Sequence, residues 1–162
     1  MKLSDIAPKT TQRVIVYGGP KVGKTELVGN LASKFNLLWF DIEKGYTTLT
    51  KLPLEQQQRI EIISLPDTRD YPIAIETLLK VFTGAKVEIC EAHGKCGCML
   101  CKKESKPVTV VELNALDSDT IVVVDSLTQV AVSAIANITK GKSDDYKYDW
   151  EDYRKQGTLM DK

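Results

Sequence analysis

Net charge is absent: 22 lysines and arginines are matched by 22 aspartates and glutamates over 162 residues. A chain so balanced has no global positive field with which to grip nucleic acid, so any such contact has to come from local patches or loops. Long apolar runs are missing as well. No stretch approaches the ~20 residues that span a bilayer, and the opening MKLSDIAPKTTQ has no basic segment leading into an apolar run, the pattern of a secretory leader. The expectation is a soluble, cytoplasmic chain with no membrane partner. Cysteine is absent outside residues 90–101, which excludes a framework of disulfides tying distant segments together. Histidine occurs once, as His93, inside that same stretch. Internal repeats and low-complexity segments are absent too. The length suits one domain with a sizeable core, so residues 1–162 are read as a single unit.

What is present alternates between short apolar runs and helical patterns. RVIVY (13–17) is β-rich and ends in glycines, which predicts a buried strand. Leu27, Val28, Leu31, Ala32 and Phe35 then recur at helical spacing, forming one apolar stripe. NLLWFDIE (36–43) and RIEIISLP (59–66) read as the next strands, and YPIAIETLLKVF (71–82) as a helix with Pro72 near its first turn. In that helix Ile73, Leu78, Leu79 and Phe82 are expected to share one side. Residues 84–106 break the rhythm, being rich in Cys, Lys and Gly, and read as an insertion held by something other than a core. VTVVEL (108–113) is a returning strand, while TIVVVDSL (120–127) has the continuous apolar character of a central parallel strand. The fold class is therefore α/β, a mainly parallel sheet flanked by helices. Because the last segment is helix-like and charged, with no further apolar strand, a C-terminally truncated sheet is expected.

The turn after the first run carries chemistry. Gly18, Gly19, Pro20, Lys21, Val22, Gly23, Lys24 and Thr25 match the phosphate-loop pattern G-x-x-x-x-G-K-[ST] in full. Glycines let the backbone turn its N–H groups inward around phosphate oxygens, and the following helix, opening through Glu26, adds further amides and a positive dipole end. Lys24 is placed to reach the β- and γ-phosphates of ATP, and the Thr25 hydroxyl to ligate Mg2+. Asp125, at the end of an apolar strand, is the expected second magnesium group, acting through a bound water. Ser126 follows it where many such ATPases carry a water-activating glutamate, so the base has to come from elsewhere. Glu43, just past the second strand, is the candidate, with Asp41 as its competitor.

LLWFDIEKG, IISLPDTRDY and TIVVVDSLTQVA, in that order, resemble the core of RecA-type recombinase ATPases, in which a strand ending in D-x-E carries the catalytic glutamate. The nearest resemblance is to phage-encoded RecA-like nucleotide-binding proteins of single-strand annealing and recombination, over about residues 12–135. It implies Lys24 and Thr25 at phosphate and magnesium, Glu43 as base and Asp125 at the metal. It also implies ring-like or filament-like assembly of identical chains, single-stranded DNA as partner, and a host cytoplasm as location. The strand that carries that family's polar γ-phosphate sensor is expected to fall outside the sequence, and the cysteine-bearing segment is foreign to the family's core.

That segment, CEAHGKCGCMLC, pairs Cys90 with His93 and Cys98 with Cys101 across two intervening residues each. Such pairs of soft ligands suit tetrahedral Zn2+. Five candidates compete for four positions. Cys90, His93, Cys98 and Cys101 are favoured, with Cys96 able to replace His93. Further on, Tyr146, Tyr148, Trp150 and Tyr153 interleave with Lys147 and Arg154, where the resemblance places a DNA-contacting loop. Aromatic faces there could stack bases, against the repulsion of Asp144, Asp145, Asp149, Glu151 and Asp152. The competing functional reading is a nucleotide-dependent interaction module that docks a protein through the zinc insertion.

Overall fold

The computed structural model describes residues 12–68, 71–143 and 145–162. The first eleven residues and positions 69, 70 and 144, which fall in stretches read above, lie outside the described residues. In chain order the elements are α1 (Lys24–Gly29), β1 (Asn36–Asp41), α2 (Leu54–Gln57), β2 (Ile60–Ser64), α3 (Ile73–Phe82), β3 (Val87–Cys90), α4 (Met99–Lys103), β4 (Val108–Val111), β5 (Thr120–Asp125), α5 (Leu127–Ile138) and α6 (Trp150–Met160). Tighter helix follows α1 at Asn30–Ser33, fills Gly45–Lys51 and recurs as a single turn at Leu113–Ala115.

Mixed α/β architecture is observed, with a small parallel sheet ordered β2-β1-β5. Leu37 pairs with Ile60 on one side and Ile121 on the other, and the register carries Asp41 opposite both Ser64 and Asp125. Central β1 is apolar from Leu37 to Phe40 because both of its faces are covered. Leu37, Trp39 and Phe40 are at most 1% exposed, and burying each such side chain stabilises the fold by about 1.5–3 kcal/mol. Alternation sends Leu37 and Trp39 to one face, against Ala32, Leu49 and Leu52. The other face packs Leu38, Phe40 and Ile42 against Ala74, Ile75, Leu78 and Val81 of α3 and Val130 and Ala134 of α5.

Several expectations change. Residues 13–17 form no strand: Val14, Ile15 and Tyr17 are 79%, 73% and 92% exposed. An extended segment becomes a strand only when its N–H and C=O groups find a ladder partner; among the described residues β5 pairs on its β1 side alone. The apolar stripe of the first helix is narrower than its spacing implies. Val28, Ala32 and Phe35 pack on the sheet, whereas Leu27 and Leu31 face outward. In α3 the buried side is Ala74, Ile75, Thr77, Leu78 and Val81, and Phe82 is half exposed at the helix end.

Nor is the segment 84–106 detached from the core. β3 pairs antiparallel with β4, and Ile89 and Val111 are both buried in the larger core cluster. Gly94, at φ +64°, sits where a Cβ would lie 2.5 Å from the Ser64 carbonyl oxygen, and its own carbonyl accepts a 2.8 Å bond from the Thr77 hydroxyl. The turn is thus sewn to the end of β2 and to α3. At the other end of the chain the helix-like, charged segment forms α6. It starts with a reciprocal cap in which Asp149 and Asp152 each accept the other's backbone N–H. Gln156 then donates to the Ala131 carbonyl at 2.7 Å, pinning α6 along α5. Among the described residues no helix is long and apolar enough to cross a membrane.

Candidate functional site

Two clusters gather at the carboxyl ends of the parallel strands and beside them. The first is built by the glycine-rich turn. Gly23 takes a left-handed conformation, φ 85° and ψ 18°, immediately before α1, a geometry open to glycine without the Cβ penalty. Lys21 also has positive φ. The loop curls so that Lys24 Nζ donates to the Gly18 and Gly19 carbonyls at 3.0 and 2.8 Å. Gly18, Gly19, Pro20, Lys21, Val22 and Gly23 are all exposed, and Glu26 is exposed in the first turn of α1.

Behind the loop, Thr25 Oγ1 donates to Asp125 Oδ2 at 3.0 Å, joining positions 100 residues apart. Parallel register sets Asp41 beside Asp125, and the Gly45 N–H donates to Asp41 Oδ1 at 2.9 Å. Burial raises the pKa of both carboxyls. For Asp41 the Gly45 amide pulls the other way while Asp125 and Glu43 add to the rise. For Asp125 the Thr25 hydroxyl opposes the burial and Glu43 reinforces it. Glu43 is exposed, and the Ser126 hydroxyl donates to its Oε1. So Lys24, Thr25, Glu43 and Asp125, drawn from α1, the turn after β1 and the end of β5, converge on one side of the sheet. The oxygen-rich donor set formed by Thr25 and Asp125 suits a hard divalent cation. Sequence reasoning missed two participants: Ser126, which orients Glu43, and Gly45, whose amide holds Asp41 and whose missing side chain leaves room beside both aspartates.

The second cluster is a candidate metal centre. The ligand atoms of Cys90, His93, Cys98 and Cys101 all lie within 4.8 Å of one another. His93 Nδ1 is 3.2, 3.8 and 3.7 Å from the sulfurs of Cys101, Cys90 and Cys98. Zinc bonds of ordinary length to sulfur and nitrogen give a tetrahedral edge of about 3.6 Å, so three cysteines and a histidine so placed could hold zinc. Local structure explains the convergence: Cys90 ends β3, Cys98 caps α4 and Cys101 lies in its first turn. Cys90 and Cys101 are each 1% exposed. The Cys101 amide lowers the Cys98 thiol pKa, whereas burial pushes Cys101 up. Cys96 stands outside the cluster. It bridges to Ile89 and packs on the larger core, where burial raises its pKa.

The aromatic group near the C-terminus is arranged about a carboxylate. Tyr146 donates its hydroxyl to Asp152 Oδ2 at 2.6 Å, and Lys142 Nζ lies 3.0 Å from Asp152 Oδ1 and 3.8 Å from the Tyr146 ring centroid. Tyr148 makes edge-on contacts with both Tyr146 and Tyr153. Trp150 is 83% exposed, and Arg154 is taken up by Glu151 at 2.8 and 2.6 Å. No family model matches the chain, and neither the curated proteins nor the solved structures give a significant match.

Proposed function

We propose that the chain binds a magnesium nucleoside triphosphate, ATP, in the loop of residues 18–25 and hydrolyses it in a RecA-like core. The observation that carries this reading is the Thr25–Asp125 contact, because it joins a phosphate-loop hydroxyl to a strand-end carboxylate across 100 positions of chain. A nucleotide's phosphates would displace Lys24 from the Gly18 and Gly19 carbonyls and take its charge instead. Bound magnesium would supply charge neutralisation between the phosphates. Thr25 and Asp125 would hold it, one directly and one through water. Glu43, exposed and bonded by the Ser126 hydroxyl, would take a proton from an attacking water. Equilibrium binding of ATP with magnesium tests the reading: wild-type chain should retain nucleotide and Lys24→Ala should not, whereas equal retention by both refutes it.

The same reading makes the chain a recombination or annealing protein that assembles with identical copies and acts with single-stranded DNA. Of the C-terminal aromatics, Tyr148, Trp150 and Tyr153 are exposed and would offer faces for base stacking. Their acidic neighbours make salt the discriminating variable. DNA affinity that ATP raises and salt lowers supports the assignment, and absence of DNA binding by an assembled, nucleotide-loaded protein removes it. One observation favours a second reading, a nucleotide-dependent interaction module. Met99 and Leu100 on α4 are 69% and 65% exposed, apolar side chains that the metal cluster does not need. Retained ATP binding with no DNA binding at low salt would select that module.

A further inference from the structure

Among the described residues, Asp41 is a buried carboxylate with one oxygen unpaired. Its side chain is 0% exposed, Oδ1 accepts the Gly45 N–H, and Oδ2 has no hydrogen-bond partner. An interior carboxylate oxygen left bare loses its hydration with nothing in return. Its surroundings deepen the problem. Parallel pairing sets Asp41 opposite Asp125, and a methyl group on Gly45 would lie 3.6 Å from Asp125 Oδ2 and 3.9 Å from Asp41 Oδ1. The Thr25 hydroxyl reaches the same Asp125 oxygen. Glu43 adds a third carboxylate, while the nearby Lys24 ammonium is bonded to loop carbonyls. Asp41 and Asp125 thus stand side by side at the strand ends, with the Glu43 charge acting on both.

We propose that Asp41 is a direct ligand of a hard divalent cation, shared with Asp125 and Thr25, and that this cation is held before any nucleotide arrives. Magnesium is typically bound by one or two carboxylates with water completing the shell, and two like charges on neighbouring strand ends, Asp41 buried and Asp125 half-buried, are relieved by such an ion. A motif of this type by itself implies only a metal that enters with the phosphates; the orphaned Asp41 oxygen adds a protein-held ion to it. The role rests on the magnesium-nucleotide reading above, but the binding itself requires no nucleotide.

The test titrates the zinc-loaded, nucleotide-free chain with Mn2+, following the resonance of the free ion. One Mn2+ should bind and be displaced by Mg2+. Asp41→Asn keeps the side-chain shape and the bond from Gly45, and should weaken binding at least ~10-fold. Gly45→Ala changes no charge but crowds the space between the two aspartates, and should weaken it as well. Lys24→Ala should lose ATP yet keep Mn2+. A wild-type chain that binds no Mn2+ without nucleotide, or an Asp41→Asn chain that binds it as wild type, overturns the proposal. Should Asp41→Asn not fold, unchanged Mn2+ affinity in Gly45→Ala overturns it instead. Intact Mn2+ binding with no ATP binding would sink the nucleotide reading alone.

Discussion

Thr25 Oγ1 and Asp125 Oδ2 are 3.0 Å apart although 100 residues separate them, and that one bond closes the glycine-rich loop onto the sheet. Thr25→Val keeps the shape and removes the donor. Losing the partner of a partly buried carboxylate costs about 1–3 kcal/mol, so the melting temperature should fall and the magnesium dependence of ATP binding should weaken. Thermal melts with and without Mg-ATP check this; an unchanged magnesium dependence would dissociate Thr25 from the metal.

Glu43 is predicted to matter for turnover and not for binding. Glu43→Gln should bind ATP as tightly as wild type while hydrolysing it at least ~100-fold more slowly, the usual loss on removing a general base. Ser126→Ala frees the same carboxylate from its hydroxyl partner and should cost less. Single-turnover hydrolysis by assembled protein measures both, and wild-type rates in Glu43→Gln reassign the base.

Metal content gives a prediction independent of nucleotide. About one zinc per chain is expected, and removal by chelator should loosen residues 87–103, exposing the α4 region to protease. Cys101→Ser should reproduce that pattern, whereas Cys96→Ser should leave zinc in place, since Cys96 packs on the core outside the ligand cluster. Elemental analysis of the purified variants decides.

Gly94 couples that cluster to the sheet. Gly94→Ala would put a Cβ 2.5 Å from the Ser64 carbonyl oxygen at a backbone φ of +64°. Strain of this kind destabilises by about 1–3 kcal/mol, visible as a lowered urea midpoint. A midpoint equal to wild type would mean the turn is free of β2.

Acid should release the C-terminal helix. Asp152 is lowered from an ordinary 3.8 to about 2, chiefly by the Tyr146 hydroxyl and then by Lys142 and the Asp149 amide. A carboxylate whose folded pKa is depressed contributes stability that is complete above its unfolded value and lost as pH falls through the folded one. The window is therefore from about 4 down to about 2. Tyrosine and tryptophan fluorescence should change there, and Asp152→Asn should abolish the transition.

Much of this was legible in one dimension. NLLWFDIE (36–43) reads as a short apolar strand, and β1 forms over its first six residues. Soft ligands paired at two-residue spacing identified Cys90, His93, Cys98 and Cys101 before any coordinates. Spacing along a chain sets which side chains one turn can bring together, and for short-range clusters that is nearly the whole problem. RVIVY shows the limit: its β-propensity is as strong as that of any strand here, yet it forms no strand and is exposed. Strands are made by partners, and partners come from elsewhere in the fold. Likewise only the parallel register of β1 against β5 brought Asp41, read from sequence as a competitor of Glu43, beside Asp125 as a buried carboxylate with a bare oxygen. The composition determined the chemical vocabulary of this protein; the crossing of distant strands decided which groups would have to share one space, because burial and charge repulsion are properties of neighbours in three dimensions.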